Sequence, residues 1–338
     1  MKRILILLVS LVCISVANAQ TVYVGPHNFV RAETDRYMSD LLERGQLGRL
    51  NHRRVPTDLA SQTVIRMNLD TLYSAGVIDM EAGPVTLTLP RSPDGRYISA
   101  QVVSQDHYTF AVYHEGANTF TKDDVGTRYA VVILRVFADS TDADDIAFAN
   151  TVQDTVTVSQ PAVGEFSVPD YDEESLDATR NALLRLGALS RGNLGTFFGR
   201  KEEVDPVSHL IATAMGWGGL PRSEAAYYSG APLPGDENKP HELIITDVPA
   251  NAFWSVTVYN ARGFMVPNAL VGVNALNNVN ATPSENGSYR IQLGGCSESS
   301  VNCIPTPEGW NYTLRAYQPD ESIVSGTWVA PIATPIEQ

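Results

Sequence analysis

Six strand-like runs follow one another between Thr63 and Phe137 with no helical period to interrupt them. They are Thr63–Met67, Leu72–Ile78, Val85–Leu89, Tyr97–Val103, Tyr108–Tyr113 and Tyr129–Phe137, parted by Gly, Pro and Asp turns such as Ser92-Pro93-Asp94-Gly95. Parallel neighbours need a long crossover, usually a helix, whereas links this short join antiparallel strands. The run therefore predicts an N-terminal antiparallel β-sandwich over residues 20–170, entered through a helix from Glu33 to Leu50.

The period changes after Phe137. Asp142–Gln153 and Glu173–Leu189 read as helices, the second with Leu176, Thr179, Leu183 and Leu186 on one stripe and Asp172 as its cap. Asp205-Pro206 is a favoured cap and first-turn pair, which starts a third helix running to about Met215. Residues 171–228 are thus expected to form a small helical insert, followed by an irregular link from Ser229 to Asp236. Strands return as Glu242–Thr246, Phe253–Tyr259, Tyr289–Leu293, Tyr312–Tyr317 and Thr327–Val329. Trp254, Val256 and Val258 share one face, and Phe253, Ser255, Thr257 and Tyr259 the other. Tyr312, Leu314 and Ala316 likewise oppose Thr313, Arg315 and Tyr317. A sheet with one apolar and one polar-aromatic side suits a jelly-roll-like C-terminal domain over 229–338, the second side being either a ligand surface or solvated. The expected fold class is mainly β with a helical insert.

The first residues point to export. Lys2 and Arg3 precede an apolar run from Ile4 to Val16 and then Ala17-Asn18-Ala19, the pattern of a signal peptide cleaved after Ala19. The run falls short of the roughly 20 residues of a membrane span, and no other stretch approaches that length. Periplasmic or secreted localisation follows as an expectation. The formal net charge of −14 becomes more negative once Lys2 and Arg3 are removed, which argues against nucleic acid or anionic membranes as partners. Cleavage also removes Cys13 and leaves Cys296 and Cys303, a local disulfide in an oxidising compartment worth roughly 2–3 kcal/mol.

Longer motifs carry a resemblance. Arg66-Met67-Asn68-Leu69-Asp70-Thr71-Leu72-Tyr73-Ser74, continued by Asp79, Gly83-Pro84-Val85, Arg96-Tyr97 and Gln101, resembles a bacterial family described as domain of unknown function 1254. Pro249 to Asn260, with Pro305-Thr306-Pro307-Glu308-Gly309-Trp310-Asn311-Tyr312, resembles its usual partner, domain of unknown function 1214. The resemblance implies a β-sandwich, a small helical domain and a jelly-roll-like domain. Leu69 stands where a basic residue is expected, so no charge acts at that position.

Candidate site residues come from polar and aromatic sets. In an extended stretch Asn68 and Asp70 project from one face, with Tyr73 nearby; they could orient a ligand or satisfy backbone groups at a turn. Asn28, Arg31, Glu33, Asp35, His52 and Arg54 flank the first helix, where ion pairs could anchor it or Glu33 and His52 could act as acid or base. Trp217, Tyr227, Tyr228, Trp254, Tyr259, Trp310 and Tyr317 could line a groove or pack a core. The resulting candidate pocket comprises Asn68, Asp70, Tyr73, Gln101, Glu33, His52, Trp217, Tyr259, Arg315 and Tyr317. His107 and His114 fall on opposite faces of a strand-like segment, and His241-Glu242 lacks the second histidine of a zinc-protease motif, since Ile245 stands there. The acidic run from Asp139 to Asp145 lacks the glycine and distal glutamate of a calcium loop and reads as helix capping. No metal or cofactor is expected. Nucleophile-elbow, phosphate-loop and dinucleotide motifs are missing. Two functions remain: binding of a glycan or small polar-aromatic ligand at the domain junction, or metal-independent hydrolysis by carboxylate and Tyr or His chemistry. The oligomeric state is not encoded in any motif.

Overall fold

The computed structural model describes residues 21–62, 65–92, 94–190, 196–268 and 273–337. The expected signal peptide and Cys13 lie outside them. Helix α1 (Phe29–Glu43) begins four residues ahead of Glu33 and ends at Glu43, with Arg44 as its C-cap, rather than at Leu50. The chain must turn back there: Gly48 sits at φ 75, and its N–H donates to the carbonyl of Val77 at 2.8 Å. Gly76 makes this crossing possible, because a Cβ there would lie 2.2 Å from the carbonyl oxygen of Arg49.

The N-terminal strands are β1 (Asn51–His52), β2 (Thr71–Asp79), β3 (Val85–Leu89), β4 (Ile98–Ser104), β5 (Thr109–Tyr113) and β6 (Gly116–Phe120), then, after helix α2 (Lys122–Val125), β7 (Tyr129–Phe137). Helix α3 (Ala143–Thr155), capped by Asp142, leads into β8 (Thr157–Ser159). They form an antiparallel sheet ordered β1-β2-β7-β4-β5 and a smaller one ordered β6-β3-β8. Leu72, Val132 and Leu134 of the larger sheet share a core with Leu87 and Leu89 of the smaller and with Ala149 and Val152 of α3. On the opposite face Val77, Val131 and Ile133 pack with Met38 of α1. Burial on both faces is why β7 reads as the nearly unbroken apolar run YAVVILRVF. The segment expected as a strand from Thr63 to Met67 is different: Ile65 and Arg66 form a turn, Arg66 has φ 57, and Thr63 and Val64 lie outside the described residues.

Helices α4 (Glu173–Leu189) and α5 (Pro206–Gly216) match the expected spans, with Asp172 and Asp205 accepting from the N–H groups of Ser175 and Ser208. Leu176, Leu183 and Ile211 pack on Phe29 and Ala32 of α1.

The C-terminal elements are β9 (Ala225–Gly230), β10 (His241–Ile245), β11 (Ala250–Tyr259), β12 (Ala275–Asn277), β13 (Tyr289–Leu293), β14 (Cys303–Ile304), β15 (Asn311–Pro319), α6 (Glu321–Val324) and β16 (Thr334–Pro335). They make sheets ordered β14-β13-β10-β16 and β12-β11-β15-β9. Strand β9 lies where helical insert and irregular link were expected; it is recruited by pairing Ala225–Gly230 with Tyr312–Tyr317. The expected strand Thr327–Val329 does not form, and β16 takes that edge instead. Leu243, Ile245, Ile291 and Leu293 of one sheet share a core with Trp254, Val256, Val258 and Leu314 of the other. The polar-aromatic side of β11 is not solvated: Phe253, Ser255, Thr257 and Tyr259 are all buried, facing the N-terminal half. Cys296 and Cys303 form the expected disulfide. It braces β13 and β14, which run parallel across a connection too short for a crossover helix. No helix among the described residues is long and apolar enough to cross a membrane.

An ion pair fastens the halves at the end of β5. His114 Nδ1 donates to the carbonyl of Ile98 at 2.7 Å and Nε2 to Glu224 at 2.9 Å, which requires both nitrogens protonated. Burial disfavours that charge, but the hydrogen bonds to Glu224 and Ile98 outweigh it and raise the imidazole pKa. The stabilisation is therefore complete below the ordinary histidine pKa and is lost as pH rises through the raised one. Urea denaturation across that range should show wild type losing up to about 1 kcal/mol, with His114→Gln lacking this slope.

Candidate functional site

A cavity of about 1080 Å³ lies where the two halves and the helices meet. Strands build one side of it: β2 gives Tyr73, β7 gives Ile133 and Arg135, β9 gives Tyr227 and Tyr228, and β15 gives Thr313, Arg315 and Tyr317. Helices and their links build the other, with Tyr37 and Leu41 from α1, Gly187 and Ala188 from α4, Ala212 and Met215 from α5, and Phe197, Phe198 and Trp217. Trp217 stacks on Tyr37 with ring centroids 4.5 Å apart, and its indole N–H donates to Thr34 at 3.1 Å. The same stack borders an adjoining cavity of about 670 Å³ beside α1 and α4.

The strand side is organised around two arginines. Arg135, on the central strand of the five-stranded sheet, pairs across the ladder with Tyr73 on β2 and Ser99 on β4. Arg315, on β15, pairs with Tyr227 on β9 and Ser255 on β11. Each half thus presents a Tyr–Arg–Ser rung. Both arginines are buried, 6% and 3% exposed. Arg135 donates to Gln101 Oε1 at 3.0 Å and to the carbonyl of Gly218 at 2.7 Å, and lies over the ring of Tyr73. Gln101 is braced in turn by Thr109 and the carbonyl of Gly219, both at 2.9 Å. Arg315 donates to Thr257 at 2.9 Å, to Tyr259 at 2.6 Å and to the carbonyl of Arg66 at 2.7 Å. Arg66 reaches that position in the left-handed region, and its own guanidinium donates to Asn311 at 2.8 Å.

Among the described residues, none of the arginines lining the cavity, Arg44, Arg53, Arg66, Arg135, Arg222 or Arg315, forms an ion pair with a carboxylate. Burial opposes the charge on Arg135 and Arg315, yet the surrounding phenols hold both guanidinium pKa values above normal. Burial in turn raises the phenol pKa values of Tyr227, Tyr259 and Tyr317, which stay protonated and able to donate.

The expected site residues divide into three groups. Asn68, Tyr73, Trp217, Arg315 and Tyr317 line the cavity. Asn68 takes the turn role considered for it, its Oδ1 accepting from the N–H of Asp70 and the hydroxyl of Thr71, while its Nδ2 donates to Tyr317 at 2.7 Å. Gln101, Tyr259 and Asp70 stand behind the wall. Tyr259 donates to the carbonyl of Met67 at 2.7 Å. Asp70 accepts from Asn277 at 3.2 Å, its second oxygen has no hydrogen-bond partner, and burial raises its pKa.

Glu33 and His52 do not belong to the cavity. Glu33 is clamped by Arg180 and Arg36, and His52 Nδ1 meets Ser74 at 2.7 Å on the face of β2 opposite Tyr73. The polar set flanking α1 is anchoring: Arg31 pairs with Asp106 and Arg54 with Asp154, while Asp35 accepts from Gln105 and Tyr171. Trp254 and Trp310 pack in the C-terminal core. His107 and His114 diverge, His107 lying beside Trp217 and His209. Asp142 caps α3 and Asp145 pairs with Arg96, as expected for a capping segment. No group of three or more His, Cys, Asp or Glu among the described residues converges as a metal site.

Arg135 and Gly218 escaped the sequence reading. The signal for Arg135 was present: one cation inside a nine-residue apolar strand is a buried charge, rare unless it has a partner or a task. Glu33 yields a separate test. Burial raises its carboxyl pKa, but hydrogen bonds and charge from Arg180 and Arg36 prevail and hold it below normal. Its contribution is present above the unfolded carboxylate pKa and vanishes as pH falls through the lowered one. Glu33→Gln should lose about 2 kcal/mol at neutral pH, measured by denaturant midpoint, with the difference closing in acid.

Residues 47–124 match the family described as protein of unknown function (DUF1254), and residues 224–321 the family described as protein of unknown function (DUF1214). No curated protein matches the chain. Among solved structures, the VPA0106 protein from Vibrio parahaemolyticus aligns over 92% of this chain and 98% of its own, at 17% identity and TM-score 0.66. A putative uncharacterised protein from Burkholderia cenocepacia aligns over 92% and 88%, at 12% identity and TM-score 0.53. Such likeness speaks to fold, and the two matched segments contribute Tyr73 and Gln101 on one side of the junction and Tyr227, Arg315 and Tyr317 on the other. The two matches stand where the resemblance places them, DUF1254 in the N-terminal half and DUF1214 in the C-terminal half.

Proposed function

We propose that this chain is an exported binding protein that takes a small organic ligand into the cavity between its halves. The observation that carries the reading is the wall itself: both sheets and the helices converge on one space of ligand size, lined by rings and a few polar groups. Flat rings at Tyr37, Trp217 and Tyr227 suit an aromatic or sugar-like body. The expected signal peptide and the Cys296–Cys303 disulfide support an oxidising compartment, periplasmic or extracellular.

Hydrolysis receives less support. Among the described residues lining the cavity only Asp40 is a carboxylate, it is paired with Arg36, and none is a histidine. The carboxylates first considered, Glu33 and Asp70, are clamped or walled off. An acid–base pair within reach of a bound substrate is therefore not formed by the described side chains.

A thermal-shift screen of aromatic acids, sugars, fatty acids and nucleosides tests the reading. A ligand at 100 times its Kd should stabilise the protein by about 2.7 kcal/mol and raise Tm by several degrees. Ala188→Trp, which fills the cavity from the helix side, should abolish that rise. A full panel with no shift in wild type would remove the proposal.

A further inference from the structure

We infer that the ligand is an organic anion, its charged oxygens received by Arg135 and Arg315 and its body packed against the apolar helix side of the cavity. This rests on the binding role proposed above. The argument is an inventory of unspent donors. A guanidinium has five N–H groups. Protein acceptors take two from Arg135 and three from Arg315 among the described residues. Tyr227 accepts from the N–H of Leu220 at 3.2 Å, and Tyr317 from Asn68 at 2.7 Å. In both bonds the phenol oxygen is the acceptor, so each hydroxyl hydrogen is left over. The strand side of the cavity is therefore rich in donors and poor in acceptors.

Charge points the same way. Two buried cations without a carboxylate partner are costly, and such groups are normally paired. Asp70 interacts with the charge of Arg315 but makes no ion pair with it and stands behind the wall, where one oxygen accepts from Asn277 at 3.2 Å. An incoming oxyanion would supply both the missing charge and the missing acceptors, the guanidinium fork matching a carboxylate, sulfate or phosphate oxygen pair. The acidic exterior, −14 overall, selects against polyanions, so the ligand is a small molecule. Phe197, Phe198 and Met215 opposite the arginines require that it also carry an apolar portion.

The test compares matched acids and amides: benzoate with benzamide and decanoate with decanamide, titrated calorimetrically against the purified protein. The acids should bind at least about tenfold tighter than their amides. Arg135→Gln should remove most of that preference, the acids losing more affinity than their amides, and Tyr227→Phe, which keeps the charge, should reduce it in part should the arginine variant fail to fold. Sulfate and phosphate monoesters of decanol then show which oxyanion is preferred. Equal affinity for acid and amide would overturn the inference while the cavity reading stands. Failure of every anion alongside binding of a neutral compound from the panel would do the same. Failure of all compounds would overturn both.

Discussion

Burial of two guanidinium groups at a junction, with no ion-paired carboxylate among the described residues, is the constraint around which this molecule is arranged. A buried cation must be solvated by something, and here the solvation is backbone carbonyl, amide and phenol oxygen. Arg315 draws the carbonyl of Arg66 and the hydroxyl of Tyr259 to itself, and Tyr259 in turn holds Met67. Arg135 draws Gly218 and Gln101. These bonds fix the turn before β2, the link after α5 and the polar face of β11 against one another. The halves meet through this polar framework and through an aromatic cluster in which Tyr97 and Phe137 pack on Phe253, while the two larger apolar cores lie on either side.

Much of the fold was legible because local periods were strong. Alternation on β11 and β15 assigned Trp254, Val256, Val258 and Leu314 to the core correctly, and the caps at Asp172 and Asp205 marked two helices. Elements whose cause is tertiary were not legible. Strand β9 follows a Gly-Trp-Gly-Gly-Leu-Pro segment and carries a Tyr-Tyr pair, and only pairing with β15 makes it a strand. Arg66 looked like the middle of a strand and is a turn residue at φ 57, held there by bonds to Gly263 and Arg315.

The candidate site was half legible for the same reason. Side-chain alternation grouped Arg315 with Tyr317, and both line the cavity, as do Asn68 and Tyr73 of the Asn68–Tyr73 motif. Spacing could not say that the polar face of β11 would be covered by another domain, nor that Glu33 would meet Arg180 on a distant helix. Arg135 was passed over because its strand is otherwise apolar, although that contrast was itself the clue. The helical residues Ala188, Ala212 and Met215 carry no chemical signal at all; shape alone makes them part of the wall.

The paired Tyr–Arg–Ser rungs have a mechanical consequence. They sit on strands far apart in the chain, one from each domain, so a molecule held by both arginines is a cross-link between segments that share no covalent path nearby. Folding has already met the entropic cost of bringing β7 and β15 together, so such a link adds attachment without a new loop to close. Occupancy would then be felt as resistance to separation of the domains, with the bound molecule acting as a removable staple across the seam.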